Sequence, residues 1–415
     1  MHPSAYRPSE FSDPYGRYYT TEDVGLLLVA SMSIERPRIV LDLGAGRGSL
    51  AIAAQRRWAS ARIIGVDSDP DAGGNLRGVD AGSYQHFRFD ALAKDLPGSL
   101  GLKCGTVDAA VCNPPFIRPK WRSRYAELLE EVGFSGAFPA IQEAGADVLF
   151  LAQNLRLMRS AGQLGLIVPD GIVAGVRHRD LRRLLIERHK VELVVKLPRN
   201  AFRLADAQTY ILILRKGNAK VTHVELRELT TDEGLSEPLF IKPEEAVQRL
   251  DYSYHRNTTL AGARYSNGHS AVVTLEQLGA HVCRGLLSSR EARQSPLHVL
   301  HTTNFPTDTN LIVPLRERAA MRSRLLSKMV IAEPGDILLA RVGRNLEKKI
   351  CVVEDGRIVI SDCIYRIRID KRWKRRVLDA LSSATGRQWI ATAACGVGAR
   401  QLSKVALLGF PVPLR

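Results

Sequence analysis

Several features are missing from this 415-residue sequence, and each absence excludes a class of protein. The sequence contains no uninterrupted apolar run of about 18 residues, whereas a membrane-spanning helix needs about 20. Residues 1–4 do not begin a signal peptide. The six cysteines are scattered, with no C-x-x-C pair and no His/Cys cluster at metal-ligand spacing, which favours reduced thiols over a zinc site or disulfides. We therefore expect a cytoplasmic protein without a metal or a membrane partner.

Internal repeats and low-complexity tracts are also absent. The content of 45% apolar and 25% charged residues is typical of a soluble globular protein. The length allows roughly two or three domains with cores of their own.

Negative charge is scarce at one end of the chain. Residues 271–415 hold 24 Lys and Arg against 12 Asp and Glu, a net charge of +12, whereas residues 1–270 hold 35 against 31, a net of +4. A basic module joined to a nearly neutral one suggests a polyanionic partner for the basic module. The alternative is a basic surface that is merely solvated.

Apolar runs that end in polar residues alternate with helical patterns over residues 1–217. This alternation predicts an α/β domain with a parallel, doubly wound sheet. The predicted strands are 39–43, 62–66, 87–89, 107–112, 165–168, 191–197 and 210–214, the last of which closes the sheet. Residues 218–274 are less patterned and are interpreted as a connecting segment. The pattern of residues 275–415 predicts a smaller α+β domain of short strands, with turns at 334–336 and 354–356.

A glycine-rich loop follows the first predicted strand. Gly44, Gly46 and Gly48 are spaced G-x-G-x-G, which lets the backbone approach a ligand and exposes N–H groups at a helix start. Asp67 ends the next strand, where its carboxylate can accept hydrogen bonds from ribose hydroxyls, and Asp90 ends the third. An acidic residue at this place is shared with NAD proteins, so Asp67 alone leaves the cofactor open.

Two prolines stop the strand at 107–112 and make a stiff loop of Asn113, Pro114, Pro115 and Phe116. Proline lacks an N–H and fixes φ, so the ladder cannot continue. The loop presents an amide side chain and carbonyl groups at the carboxyl edge of the sheet, where open α/β sheets bind ligands. Taken alone, it could equally be an ordinary proline-stopped loop.

In this order, the N-terminal Tyr-Thr pair, the glycine loop, the two aspartates and the Asn-Pro-Pro-Phe loop resemble S-adenosylmethionine-dependent adenine-N6 DNA methyltransferases of the gamma arrangement. The resemblance covers residues 16–217 and implies a Rossmann-like methyltransferase domain that binds S-adenosylmethionine. The implied cofactor-binding residues are Tyr19, Thr20, Asp42, Gly44, Ala45, Gly46, Asp67, Ser68, Asp90 and Ala91.

The same resemblance assigns the catalytic role to the loop Asn113, Pro114, Pro115 and Phe116. Asn113 and the Pro114 carbonyl would accept hydrogen bonds from both N–H groups of the adenine amine. Phe116 would stack on the base once the base has left the duplex. The segment 198–202 is similar to a later family motif and makes Phe202 a second stacking candidate. Family members often have Tyr in place of Phe116.

A second resemblance concerns the C-terminal domain. Residues 334–343 and 396–403 are similar to recurring segments of type I restriction specificity subunits, which implies target recognition on duplex DNA. Lys and Arg side chains are the natural phosphate and base-edge contacts. The predicted DNA-binding residues are Arg322, Arg324, Arg341, Arg344, Lys348, Lys349, Lys371, Arg372, Lys374, Arg375 and Arg376.

Together these observations predict methyl transfer from S-adenosylmethionine to adenine in specific duplex DNA sequences, within a restriction-modification or defence system. A separate restriction nuclease or other defence subunits are the further partners expected. Two alternatives stay open: the same loop could methylate RNA adenine or a protein glutamine, or the chain could be a catalytically silent DNA-binding specificity subunit.

Overall fold

The computed structural model describes residues 20–73, 82–199, 201–202, 208–217, 221–230, 234–257, 259, 272–295, 297–305, 311–312, 329–396 and 399–414. The chain divides into two compact units, Met1–Tyr252 and Ser253–Arg415. The first unit thus extends past residue 217, where the sequence pattern ended the catalytic domain. No helix in the described ranges is long and apolar enough to cross a membrane.

The first unit is built on a ten-stranded sheet. Its strands are β1 (Ile39–Leu43), β2 (Arg62–Asp67), β3 (Tyr84–Arg88), β4 (Val107–Cys112), β5 (Met158–Pro169), β6 (Lys190–Lys196), β7 (Thr209–Arg215), β8 (Val224–Thr230), β9 (Gly234–Leu235) and β10 (Leu239–Ile241). The spatial order is β10-β8-β6-β7-β5-β4-β1-β2-β3, with β9 paired to β8. Strands β3, β2, β1, β4 and β5 pair in parallel, which confirms the predicted α/β class and the mostly parallel sheet.

The far side of the sheet has two features that the sequence pattern did not specify. Strand β7 lies between β5 and β6 and is antiparallel to both. Strand β6 immediately precedes it in the chain, and strands that are consecutive in the chain and pair directly do so most simply in antiparallel fashion. The sheet also continues beyond β7, since β8, β9 and β10 come from the predicted connecting segment. Their short, partly polar strands carry a weak periodic signal.

Helices cover both faces of this sheet. They are α1 (Glu22–Ala30), α2 (Ser49–Arg57), α3 (Leu96–Ser99), α4 (Ser123–Glu131), α5 (Ala146–Leu157), α6 (Asp170–Ala174), α7 (Arg179–Arg188) and α8 (Pro243–Gln248), with 3-10 turns at Ile141–Glu143 and Val176–His178. One buried cluster joins α1 and α2 to alternate strand residues such as Val40 and Val111. The other joins α4, α5 and α7 to the intervening residues, such as Leu41 and Cys112. The strand period of two thus explains the doubly wound layers.

The second unit is an α+β structure of short strands. The strands are β11 (Val272–Thr274), β12 (His281–Arg284), β13 (Val299–Leu300), β14 (Leu311–Ile312), β15 (Ile331–Ala332), β16 (Ile337–Ala340), β17 (Val342–Gly343), β18 (Ile350–Val353), β19 (Ile358–Ile360), β20 (Ile364–Arg368), β21 (Arg400–Gln401) and β22 (Pro411–Pro413). The helices of this unit include α9 (Ser289–Gln294), α10 (Lys371–Ser382), α11 (Ala384–Ala393) and α12 (Lys404–Leu408), with 3-10 turns at Thr302–Asn304 and Leu346–Lys348. The largest sheet has the order β12-β20-β16-β18-β14, and α10 and α11 share a buried core cluster with it. Both predicted turns are present, with Gly335 and Gly356 at positive φ.

A buried arginine on α7 holds the short helices α6 and α8 in place. Arg182 of α7 is 1% exposed, and its guanidinium donates to the carbonyls of Val247, Gln248, Ile172 and Gly175 at 2.7–3.0 Å. These carbonyls lie in or just after the short helices α6 and α8, where backbone acceptors lack intrahelical partners. Arg182 thereby fixes the segment that the sequence pattern left as a connector.

We expect Arg182→Met to lower the free energy of unfolding by roughly 3 kcal/mol, because several buried carbonyls lose their donor. Urea denaturation of the whole chain measures this. Arg183→Met is the matched control, since Arg183 is the next residue on α7 and its side chain is 47% exposed, with ion pairs to Asp180 and Glu187. A change of about 0.5 kcal/mol is expected there. Equal losses in the two variants would contradict the structural role of Arg182.

Candidate active site

The predicted cofactor and catalytic loops meet where the order of the sheet reverses. Strands β1 and β4 are parallel neighbours, with Leu41 opposite Ala110 and Asp42 opposite Val111, and the chain leaves them toward opposite sides of the sheet. Such a switch point opens a crevice at the carboxyl ends of the strands. A cavity of about 520 Å³ lies there, a size suited to a small-molecule ligand.

Most of the predicted site residues line this cavity. From the predicted cofactor and catalytic sets they are Thr20, Gly44, Ala45, Gly46, Asp67, Ser68, Asp90, Ala91, Asn113, Pro114 and Pro115. Tyr19 lies outside the described residues. The sequence interpretation missed further wall residues, namely Arg47, Ser49, Leu50, Asp69, Pro70, Asp71, Leu92, Ile117, Pro119, Ala146 and Phe150. Asp69, Pro70, Asp71, Leu92 and Ile117 lie within four residues after a predicted strand-end residue, a position that could have indicated them.

The glycine loop is shaped by close contact with helix α5. Gly44 has φ +76°, and a Cβ at this position would lie 3.3 Å from the ring of Phe150, so a larger residue would be both strained and crowded. The backbone N–H groups of Gly44 and Ala45 donate to Val66 O at 2.8 and 3.1 Å. These two hydrogen bonds hold the start of the loop against the end of β2.

Asp67 is held in place by backbone donors. Its Oδ2 accepts from Gly46 N and its Oδ1 from Asp69 N, both at 2.8 Å. The carboxylate therefore joins the glycine loop to the end of β2, and its position in the cavity wall is set before any ligand binds.

Asp42 is deeper than the other predicted cofactor residues. It is fully buried, does not belong to the cavity wall, and neither carboxylate oxygen has a hydrogen-bond partner within the described part of the chain. Burial, with the nearby charge of Asp67, raises the pKa of Asp42 to about 8. The site thus has a buried carboxyl group behind the cavity wall, and burial disfavours the ionised form of this group.

Asp90 is paired with two arginines that the sequence interpretation did not single out. Its Oδ1 accepts from Leu92 N at 2.9 Å, and its Oδ2 contacts the guanidinium groups of Arg122, at 3.3 Å, and Arg124. Arg124 also lies over the ring of Tyr125, 5.4 Å from its centroid. The start of α4, a few residues after the catalytic loop, is thereby anchored to the third strand end.

The Asn113 amide is oriented by the N-terminal segment. Its Nδ2 donates to Thr20 Oγ1 at 3.0 Å, so Thr20 links the segment before α1 to the Asn-Pro-Pro-Phe loop, 93 residues further along the chain. This contact fixes the rotation of the amide at the end of β4. Sequence reasoning placed Thr20 beside the cofactor but did not predict its bond to Asn113.

The two stacking candidates have different surroundings. Phe116 is half-buried and packs at the margin of the cluster that contains α1 and α2. Phe202 belongs to that same cluster but is only 3% exposed. The ring of Phe202 therefore presents no open face in this structure, and its position is that of a core aromatic.

The predicted DNA-binding residues of the second unit fall into four groups. Arg344, Lys348, Lys371, Arg372 and Arg375 are exposed, and Lys349, Lys374 and Arg376 are half-buried. Arg322 and Arg324 lie outside the described residues. Arg341 corrects the prediction, because it is 7% exposed and donates from Nε to Asp362 O at 2.6 Å; it holds two chain segments together inside the unit.

An open cleft of about 990 Å³ runs beside α10. Its walls include Trp373, and the guanidinium groups of Arg372 and Arg376 lie 5.4 and 5.8 Å from the centroid of that ring. The Arg375 side chain on its rim is 96% exposed. The cleft is therefore basic at its rim and aromatic in its wall.

Side chains that could bind a metal ion are not clustered among the described residues of the cavity or the cleft. Within the ranges that the structure describes, no group of three or more His, Cys, Asp or Glu side chains could hold a metal ion. All six cysteines are unbridged. Cys112, which precedes the catalytic loop, is fully buried, and burial raises its pKa well above the ordinary value, so it is a core residue.

Comparison with a solved structure agrees with this architecture. The type IIG restriction endonuclease BpuSI superposes with a TM-score of 0.51 over 96% of this chain and 59% of that chain, at 15% sequence identity. At this identity the likeness concerns the fold alone.

Family membership comes from the sequence. Residues 8–281, more than half of the chain, match the family N-6 DNA Methylase, and the protein belongs to this family. A type II methyltransferase of Xanthomonas campestris pv. amaranthicola, M.XamI, is 28% identical over 157 residues, or 36% of this chain and 29% of the relative. The methylase subunit of the type I restriction enzyme MjaVII of Methanocaldococcus jannaschii is 22% identical over 286 residues, or 63% and 47%. The chain spans less than half the length of these curated relatives.

We expect Asp42→Asn to stabilise the cofactor-free protein, by a margin that grows from about pH 5 to about pH 8. The pKa of Asp42 is about 8 in the folded protein against an ordinary value of 3.8. Between these values the unfolded chain binds fewer protons than the folded one, so wild-type stability falls as pH rises. Asn removes this dependence. Thermal unfolding across this pH range measures the margin, and a margin that is constant or shrinks with pH would contradict the assignment.

Proposed function

We propose that the protein transfers a methyl group from S-adenosylmethionine to the exocyclic amino group of adenine in specific duplex DNA sequences. The observation that carries the proposal is the junction of β1 and β4, which brings the glycine loop, Asp67 and Asn113 around one cavity. The family match and the two relatives described above, a type II methyltransferase and a type I methylase subunit, support the substrate and the reaction.

The cavity fits this cofactor in three respects. The absence of a side chain at Gly44 leaves a cradle between the loop and Phe150 that a Cβ would crowd. Asp67 offers fixed carboxylate oxygens suited to the ribose hydroxyls, and Asp90 can accept from the adenine amino group. The deeply buried Asp42 lies below the loop, where its charge would be favoured by a cationic group on the ligand.

The catalytic residues act by position and polarity. When bound, S-adenosylmethionine supplies an electrophilic methyl group. The adenine amine is a weak nucleophile because its lone pair is delocalised into the ring. The side-chain oxygen of Asn113 and the Pro114 carbonyl would accept hydrogen bonds from its two N–H groups. These bonds would favour a tetrahedral nitrogen with a localised lone pair. Orientation of the amine therefore supplies much of the rate.

The base must leave the duplex to reach this loop, since its amine is buried in the helix. Phe116, half-buried beside Asn113, is the residue we propose to stack on the extruded base. Phe202 would serve only after leaving the core cluster that now buries it.

Target recognition is assigned to the second unit. Its cleft beside α10 combines exposed arginines with Trp373, and cationic and aromatic groups together suit nucleic acid. Arg372, Lys371 and Arg375 are the proposed phosphate contacts there. We further propose that the protein acts in a restriction-modification or related defence system, with cleavage by a separate nuclease subunit.

Tritiated S-adenosylmethionine incubated with duplex DNA, RNA or purified protein tests the function. We expect label in DNA adenine, and its loss in Asn113→Ala with cofactor binding retained, because the variant removes an acceptor for the amine but leaves the cofactor walls. Label in RNA or in glutamine but not in DNA would replace the proposed substrate. Transfer by Asn113→Ala at the wild-type rate would overturn the mechanism.

The bond between Thr20 and Asn113 gives a second expectation. Thr20→Val keeps the shape but removes the acceptor for Asn113 Nδ2, so kcat should fall about tenfold, whereas Thr20→Ser should stay close to wild type. Thr21→Val is the matched control, because the Thr21 side chain makes no capping hydrogen bond. Steady-state methylation rates measure all three. A loss in Thr20→Val no larger than in Thr21→Val would show that the contact does not orient the amide for catalysis.

A further inference from the structure

We propose that Arg118 and Lys120, which follow the catalytic loop, bind phosphates of the DNA strand beside the target base. The catalytic unit would then have a phosphate contact of its own, in addition to the basic second unit. This inference rests on the proposed function, since it concerns the same substrate.

The segment that carries these two residues is anchored at both ends. The carbonyl of Ile117 accepts from Ala146 N at 3.0 Å, which ties the segment to the start of α5. At the other end, Arg122 and Arg124 pair with Asp90. The stretch between these anchors borders the cavity, where Ile117 and Pro119 belong to the wall.

The side chains of Arg118 and Lys120 lie outside the cavity wall, toward solvent. Both are exposed, and neither belongs to the cavity wall that Pro119 between them helps to form. A residue before proline is biased toward extended backbone, and in an extended segment side chains two residues apart lie on the same side. Both cations thus face outward beside the loop that would hold the base.

The charge of this segment is not neutralised locally. From Asn113 onward, four cations precede the first acidic residue, Glu127. Arg122 and Arg124 pair with Asp90, and Glu127 pairs with Lys94 at 2.7 Å. Within the described part of the chain, no ion pair involves Arg118 or Lys120. Two exposed cations at the mouth of a site whose proposed substrate is a polyanion are complementary to that substrate.

The test is the salt dependence of binding to a random-sequence duplex, because the phosphate term does not depend on sequence. Each phosphate contact contributes about 0.9 to the slope of log affinity against log salt concentration. We expect the double variant Arg118→Gln/Lys120→Gln to lose about 1.8 from the magnitude of the slope. The salt dependence of kcat/KM for methylation of bacterial genomic DNA should change in the same direction.

A matched control removes equal charge from the opposite edge of the same sheet. Arg36 and Lys103 are exposed and precede β1 and β4, the two strands whose carboxyl ends form the site. Arg36→Gln/Lys103→Gln should leave the slope close to the wild-type value. Arg372→Gln/Arg375→Gln in the second unit provides a variant expected to lower the slope through another surface. Binding of S-adenosylhomocysteine should be unchanged in Arg118→Gln/Lys120→Gln, which shows that the fold and the cavity are intact.

The outcomes separate this inference from the proposed function. If the wild type methylates DNA but Arg118→Gln/Lys120→Gln keeps the wild-type slope, or loses no more than Arg36→Gln/Lys103→Gln, the phosphate contact is refuted and the function stands. If the wild type binds duplex without methylating it, the proposed function fails and the slope still decides the contact. No duplex binding by the wild type, or loss of S-adenosylhomocysteine binding in Arg118→Gln/Lys120→Gln, would overturn the contact.

Discussion

The parallel pairing of β1 with β4 is the constraint on which the rest of the site depends. These strands are far apart in sequence, yet their register sets Asp42 opposite Val111, so the loops that follow them emerge side by side. A shift of one residue would exchange the two faces of a strand and expose side chains that now fill both cores. Hydrophobic burial across the sheet therefore fixes the distance between the glycine loop and the Asn-Pro-Pro-Phe loop.

Around this junction, three carboxylates are accommodated in three physically different ways. Asp67 is stabilised by backbone N–H donors, and Asp90 by two guanidinium groups. Asp42 has no guanidinium partner in the described structure and only a weak backbone interaction with Ala51, so burial raises its pKa to about 8. An uncompensated buried acid costs folding stability, so the structure carries at Asp42 a cost that a cationic ligand group would offset. Asp67 and Asp90 each join two segments of the cavity wall, and Asp42 lies beneath that wall.

Regular, buried elements could be predicted well from the sequence. The strand predicted at 107–112 is β4 as observed, and most strands of the first unit lie within a few residues of their predicted positions, because their apolar runs end at residues that break the ladder. Elements with weak periodicity could not be predicted, and β8 to β10 were interpreted as a connector. The antiparallel direction of β7 could not be predicted either, because an apolar run has the same pattern in either strand direction.

By itself, the sequence determined which residues meet at the site, since the polar residue that ends each strand must lie at the carboxyl edge of a parallel sheet. Only the tertiary structure decided what those residues contact. Thr20 orients Asn113, Arg122 and Arg124 hold Asp90, Arg341 is buried rather than available to DNA, and Phe202 lies in the core. The physical reason is that strand position follows from local pattern, whereas burial and hydrogen-bond partners depend on which distant segments fold against each residue.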